Sequence, residues 1–167
     1  MKSLPGLDIR PTPDRLREAL FNVLSPLMEG AVFVDAYAGT GAVGIEALSR
    51  GARKVVFVEA ARAAVHLIEE NLRTLGAAAR AQVVRGKASL LVNRYQADIV
   101  FLDPPYPLEK EYALSLELLG ETPPLLVIVQ HDSRFDPGEA YGRLHRTRVL
   151  KQGDNSLSFY SPREDGE

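Results

Sequence analysis

Three glycines in one short stretch constrain this chain more than any other feature. Residues 34–44 read Val-Asp-Ala-Tyr-Ala-Gly-Thr-Gly-Ala-Val-Gly, which puts Gly39, Gly41 and Gly44 in a G-x-G-x-x-G spacing. The apolar run just ahead of them, within residues 31–35, reads as a buried parallel strand. Residues 42–49, just after, read as a helix. Glycines so spaced let the backbone turn tightly and let a ligand approach it, with the helix N-terminus facing that ligand. So many glycines weaken a chain unless something needs the space. The stretch therefore reads as a nucleoside-cofactor site, and the motif alone does not say which cofactor.

Composition narrows the chemistry. The 167 residues favour one domain, and a 46% hydrophobic content gives it a sizeable core. A formal net charge of −2 supplies no global attraction for nucleic acid, so an RNA or DNA partner would need a local patch. The chain has no cysteine, which excludes disulfides, thiolate-held zinc or iron–sulfur centres, and thiolate nucleophiles. His66, His131 and His145 are scattered and form no ligand set, so no metal is expected. No run of 18 apolar residues and no signal-peptide pattern occurs, and a soluble, cytoplasmic chain is expected.

Along the chain, residues 1–10 read as a short extension. Thr12-Pro13-Asp14 looks like a helix start: a capping hydroxyl, a proline suited to the first position, and an acid in the first turn. Leu16, Leu20, Phe21, Val23 and Leu24 form one apolar face, and Pro26 should end the helix within a turn. Strands are expected at 31–35, 54–58, 81–85, 97–102, 124–130, 143–150 and 156–161, with helices at 42–49, 62–75, 88–93 and 109–119. This alternation implies an open, mostly parallel sheet with helices on both faces. Only residues 151–155 separate the last two strands, too few for a helical crossover, so those two should be antiparallel. One domain over 11–161 and a disordered tail over 162–167 complete the expectation.

Four places carry chemistry. Glu59 ends the second strand, 24 residues after Asp35, where a carboxylate can accept hydrogen bonds from two ribose hydroxyls. Asp35 stands directly before the glycine turn. It would repel the pyrophosphate of a dinucleotide and welcome a cofactor bearing an ammonium, which favours S-adenosylmethionine over NAD; it can also pin the loop by backbone hydrogen bonds. Asp103-Pro104-Pro105-Tyr106 ends the fourth strand. There Asp103 and a proline carbonyl can each accept one N–H of an exocyclic amine, and Tyr106 can stack on the base. Gly86-Lys87-Ala88 follows the third strand, where the Lys87 backbone can contact an adenine ring. Asn71 and Asn93 read as solvated or capping. Arg10 and Arg17 can line a pocket mouth. Arg143, His145, Arg146, Arg148 and Lys151 have the alternating charge of a solvated strand face.

These residues, with Arg10-Pro11-Thr12, the 17–22 segment Arg-Glu-Ala-Leu-Phe-Asn and the closing 153–160 segment, resemble the bacterial 16S rRNA guanine-N2 methyltransferase (RsmD-like) family over about residues 10–161. The resemblance implies a class I methyltransferase, Rossmann-like α/β fold: a seven-stranded, mostly parallel sheet with an antiparallel last strand and helices on both faces. It implies S-adenosylmethionine as donor and a guanine exocyclic amine of 16S rRNA, in a partly assembled small ribosomal subunit, as acceptor. By position, Asp35, Gly39 and Gly41 carry over to the methionine end of the cofactor, Glu59 to its ribose, and residues 103–106 to the target guanine. The expected cofactor set is Asp35, Tyr37, Gly39, Gly41, Glu59, Ala60, Lys87, Ala88 and Asp103. The expected catalytic set is Asp103, Pro104, Pro105 and Tyr106, and the substrate set is Arg10, Thr12, Arg17 and Tyr106. Lys87 stands where the family often has an acid, which leaves adenine recognition to backbone groups. A monomer without metal or membrane attachment is expected. Other readings remain: an adenine-N6 or cytosine-N4 methyltransferase, an NAD-binding module, or a non-catalytic RNA-binding assembly protein.

Overall fold

The computed structural model describes residues 14–105 and 108–164. Five strands form its parallel part: β1 (Val32–Ala36), β2 (Lys54–Glu59), β3 (Ala81–Arg85), β4 (Ile99–Leu102) and β5 (Leu126–Asp132). They are followed by β6 (Ala140–Tyr141), β7 (Leu144–Gln152) and β8 (Asn155–Pro162), and the sheet order is β3-β2-β1-β4-β5-β8-β7-β6. The order reverses between β1 and β4, so the carboxyl ends of those two strands flank a crevice where such sheets bind ligands. β8, the last strand, runs antiparallel to both β5 and β7. Gly153 and Asp154 make a two-residue turn between β7 and β8, with Gly153 at φ 62°.

The strands are apolar on both sides, and alternate residues serve different cores. Phe33, Val55, Phe57, Ile99, Phe101, Ile128 and Phe159 face one way, toward α1 (Asp14–Met28), α2 (Ala42–Ser49) and α3 (Arg62–Thr74). Val34, Val56, Val58, Val100, Leu102, Val127, Val129 and Tyr160 face the other way, toward α4 (Ala88–Leu91) and α5 (Lys110–Glu121). This is the strand period of two applied to a sheet buried on both faces.

Several boundaries differ from expectation for visible reasons. β4 starts at Ile99, and Asp98 just ahead of it is tied to β1 by its carboxylate, which accepts the Val32 N–H at 2.8 Å. β5 starts at Leu126, after Pro123 and Pro124, which have no N–H for a ladder. The sheet has an eighth strand beyond the seven expected: β6 is two residues long, too short to give a period, and pairs with β7 through Ala140–His145 and Tyr141–Leu144. α1, by contrast, ends as expected: it stops at Met28, two residues and less than one turn past Pro26. β8 runs through Pro162, and residues 165–167 lie outside the described residues. Asn71, read as solvated or capping, is buried on α3. The basic stretch on β7 is partly paired: Arg146 bonds Asp136 at 2.6 Å, and Arg148 sits 5.7 Å from the centre of the Phe159 ring.

Gly44 shows why α2 can lie so close to the sheet. A Cβ there would collide with the buried Phe57 ring and stand 3.0 Å from Asp35 Oδ2. Gly→Ala in a helix normally gains about 1 kcal/mol, but overpacking a core typically costs about 1–3 kcal/mol or more. Gly44→Ala is expected to lower stability, with Tm falling roughly 2–4 °C per kcal/mol for a chain of this size. Adding Phe57→Leu should recover part of the loss by vacating the collision site. Thermal melts of the single and double variants check this, and an undiminished Tm for Gly44→Ala would show that the close approach is unnecessary.

Candidate active site

The glycine turn joins β1 to α2 through a backbone few side chains tolerate. Tyr37, Gly39 and Gly41 have φ of 59°, 59° and 81°, and Tyr37 is the one non-glycine at positive φ among the described residues. Two carboxylates hold the turn. Asp35, at the end of β1, accepts the Gly44 N–H on Oδ2 at 2.9 Å and so satisfies a donor in the first turn of α2. Glu59, at the end of β2, accepts the Gly39 N–H on Oε1 at 2.9 Å and the Ala61 N–H on Oε2 at 2.7 Å. A carboxylate has about four lone-pair sites, so each Glu59 oxygen keeps one for a ligand.

Tyr37 is anchored elsewhere. Its hydroxyl lies 2.9 Å from Glu111 Oε2 and 2.7 Å from Ser115 Oγ, both on α5. An ionised carboxylate only accepts, so the phenol proton goes to Glu111 and the Ser115 hydroxyl donates to the phenol oxygen. Burial first, and the Glu111 carboxylate after it, push the phenol well above its ordinary range, while the Ser115 bond opposes the rise. Tyr37 is therefore a neutral donor at any physiological pH.

These elements enclose a cleft of about 400 Å³ at the carboxyl ends of β1, β2, β3 and β4. Asp35, Tyr37, Gly39, Glu59, Ala60, Lys87, Ala88, Asp103, Pro104 and Pro105 all line it. Gly41 does not: a Cβ there would face Ile68 and Phe57 at 3.2 and 3.5 Å, so this glycine is turned to the core and begins α2. Arg17 lies on a separate shallow groove with Ile45, Glu46 and Arg50, which meets the cleft through Ala42. Its guanidinium is 3.3 Å from Glu46 and 3.3 Å from Asp14. Arg10, Thr12 and Tyr106 lie outside the described residues. Motif reading missed Val58, Phe101, Leu108 and Glu111, which also line the cleft. The three apolar ones carry no pattern separating them from core residues, and Glu111 looks like any acid in a first helical turn.

The electrostatics have one sign. Burial raises the Asp35 pKa well above the usual carboxylate value; the Gly44 N–H opposes the rise, and the negative charges of Asp103 and Glu59 add to it. Four carboxylates thus share one partly apolar cleft, with Lys87 the one cationic side chain among its described lining residues. Such a cleft repels a pyrophosphate and attracts a cation. Its lining fits S-adenosylmethionine: apolar walls for the adenine, spare Glu59 lone pairs for the ribose, and carboxylates for the sulfonium and ammonium. Among the described residues no cluster of three or more His, Asp or Glu could hold a metal ion, and no helix is long and apolar enough to cross a membrane.

Comparisons with known proteins agree with this geometry. The family model described as Conserved hypothetical protein 95 matches residues 1–161. The protein YlbH of Bacillus subtilis is 34% identical over 172 residues, 98% of this chain and 93% of that one. The ribosomal RNA small subunit methyltransferase D of Haemophilus influenzae is 39% identical over 124 residues, 69% of this chain and 64% of that protein's length. Among solved structures, the yhhF protein of Escherichia coli matches with a TM-score of 0.79 and 30% identity, over 94% of this chain and 91% of that one. An RNA methyltransferase from Salinibacter ruber, solved with S-adenosyl-L-homocysteine, shares the fold at a TM-score of 0.75 and 19% identity, over 93% and 95% of the two chains. The chain belongs to the Conserved hypothetical protein 95 family, the RsmD-like group of class I S-adenosylmethionine-dependent methyltransferases.

Proposed function

We propose that this chain methylates the exocyclic N2 amine of a guanine in 16S rRNA, acting on a partly assembled small ribosomal subunit. The observation that carries the reading is Asp103-Pro104-Pro105 at the end of β4, lining the same cleft as Glu59 and the glycine turn. The small-subunit rRNA methyltransferase named among the relatives supports rRNA as the substrate class. The donor, when bound, supplies a methyl group on a cationic sulfonium.

Each residue then has a role. Glu59 holds the ribose hydroxyls with its spare lone pairs, and Asp35 draws the cationic end of the cofactor. Asp103 and the Pro104 carbonyl accept one N–H each of the target amine and turn its lone pair toward the methyl group. Positive charge builds on that nitrogen during transfer, and the Asp103 carboxylate stabilises it. The proton leaves after transfer, so no strong base is needed beforehand. The target base must leave its stack to reach the cleft. Leu108, 52% exposed at the cleft, offers it an apolar surface, and Tyr106, two residues before, supplies a ring for stacking.

Substrate identity is tested by mapping methylated guanines in 16S rRNA with and without the gene, then comparing transfer to naked rRNA and to partly assembled subunits at equal salt. The chain's net charge of −2 gives naked RNA a weak, salt-sensitive grip, so the particle should be the better substrate. Higher activity on naked RNA, or no base lost with the gene, would count against the reading.

Asp35→Asn separates stability from cofactor binding. The folded pKa of Asp35 lies above its unfolded value. The stability this group contributes is therefore complete below the unfolded pKa and is lost as pH rises through the folded one. Above the folded pKa the ionised carboxylate weakens the fold, and asparagine keeps an acceptor for the Gly44 N–H without the charge. The ligand-free variant is expected to melt higher at pH 7, with less decline from about pH 4 upward, while its affinity for S-adenosylmethionine falls about 10- to 100-fold. Melts across pH and titration calorimetry check both halves; unchanged affinity would remove Asp35 from cofactor recognition.

Asp103→Ala should lower the single-turnover transfer rate by roughly 10²–10³-fold, the scale of losing one preorganised stabilising group. Cofactor affinity should change little. Asp103→Asn should be milder, because its amide oxygen still accepts a hydrogen bond. A folded Asp103→Ala protein within about threefold of the parent rate would exclude the role.

A further inference from the structure

We propose that Glu111 selects guanine by accepting its ring N1–H, an assignment that rests on the guanine-N2 reading above. Glu111 stands in the first turn of α5 and lines the same cleft as Asp103, Pro104 and Pro105. Its carboxylate is held in place: Oε2 takes the Tyr37 hydroxyl proton at 2.9 Å, and Tyr37 in turn takes the Ser115 proton at 2.7 Å. Ser115 is fully buried, so this chain of donors is anchored in the protein interior. Oε1 has no hydrogen-bond or ion-pair partner among the described residues. The cleft therefore presents a second acceptor, oriented and with lone pairs to spare, on the helix that follows the amine-binding residues.

The three bases with exocyclic amines differ at the neighbouring ring nitrogen. In guanine the N2 amine sits beside N1–H, a donor. In adenine the N6 amine sits beside N1, and in cytosine the N4 amine sits beside N3, and both of these ring nitrogens carry a lone pair. A site made of Asp103 and the Pro104 carbonyl alone accepts all three amines. Adding the Glu111 carboxylate matches guanine and sets a negative charge against a lone pair in the other two. Discrimination then comes from repulsion of the wrong base as much as from attraction of the right one. The competing account is that Glu111 only tethers Tyr37 and so shapes the cleft.

The test uses 2-aminopurine, which keeps the N2 amine but has a lone pair at N1. Single-turnover transfer is measured on small-subunit particles carrying guanine or 2-aminopurine at the mapped nucleotide. The parent protein is expected to favour guanine by about 100-fold or more, as sites built to bond a particular donor reject analogues lacking it. Glu111→Gln can turn its amide N–H to the lone pair, so the preference should shrink to about tenfold or less. The loss of O6 in 2-aminopurine is common to both proteins, so the change in ratio isolates Glu111. Tyr37→Phe removes the tether but leaves the carboxylate, and should keep the ratio within about threefold of the parent. An unchanged ratio in folded Glu111→Gln, or a Tyr37→Phe protein that loses the preference as fully, overturns the assignment in favour of a tether. A parent protein indifferent to the two bases overturns it with no variant needed, while leaving the guanine-N2 reading intact. A parent protein that methylates neither amine overturns that reading and the assignment together.

Discussion

The site depends on a five-residue turn held in a shape that L-residues resist. Tyr37 at φ 59° is disfavoured by steric strain of order 1–3 kcal/mol. Glycine at 39 and 41 removes that strain from two further positions but leaves the chain loose. The opposing contributions are hydrogen bonds to carboxylates: Glu59 on Gly39 and Ala61, and Asp35 on Gly44. The two on Glu59 contribute about 1.5–3 kcal/mol each, while burial of Asp35 offsets part of what its bond contributes. The Glu59 pair alone matches or outweighs the strain at one residue, so the turn is formed before any cofactor arrives. A preformed cleft loses less conformational freedom on binding.

The bonds that hold the turn place like charges close together. Asp35 is buried, and its pKa is raised partly by the two acids facing it. Repulsion of this kind costs stability in the empty protein and is relieved by a cation in the cleft. It also gives a direction to turnover. The donor carries a sulfonium, and the product that remains after transfer does not, so the product is attracted less strongly by the same carboxylates. The acids therefore favour exchange of product for donor, an effect that depends on ionic strength where the cleft opens to solvent.

How much was legible in the sequence follows from where each signal lies. Asp35, Glu59 and Asp103 end apolar runs, and in a parallel sheet strand ends on one side converge, so local reading brought them to one cleft. The double-faced core was legible too, since Phe33 and Val34 serve opposite sides of a continuously apolar strand. Gly41 shares its motif with Gly39, yet it points at Ile68, because the direction of a missing side chain depends on packing rather than spacing. Arg17 is on the first helix as expected, but Glu46 from the next helix takes its charge. Glu111 was invisible because its meaning comes from Tyr37, 74 residues earlier in the chain. β6 was invisible because two residues have no period.

Tyr37 joins two halves that the motifs describe separately. The ends of β1, β2 and β3 carry the residues expected for the cofactor, the end of β4 carries those expected for the base, and all of them line one cleft together with Glu111 of α5. The far end of α5 is fixed by backbone: Arg143 N–H donates to the Gly120 carbonyl at 2.9 Å, and Gly120 packs against the backbone of Tyr141 where a Cβ would not fit. Its near end is tied to the glycine turn through Tyr37 and its bonds to Glu111 and Ser115. The helix is thus held at both ends, one by the antiparallel edge of the sheet and one by the cofactor turn. One residue, Tyr37, thus links the glycine turn to the first turns of α5, and it does so at a φ of 59° that bulky side chains resist.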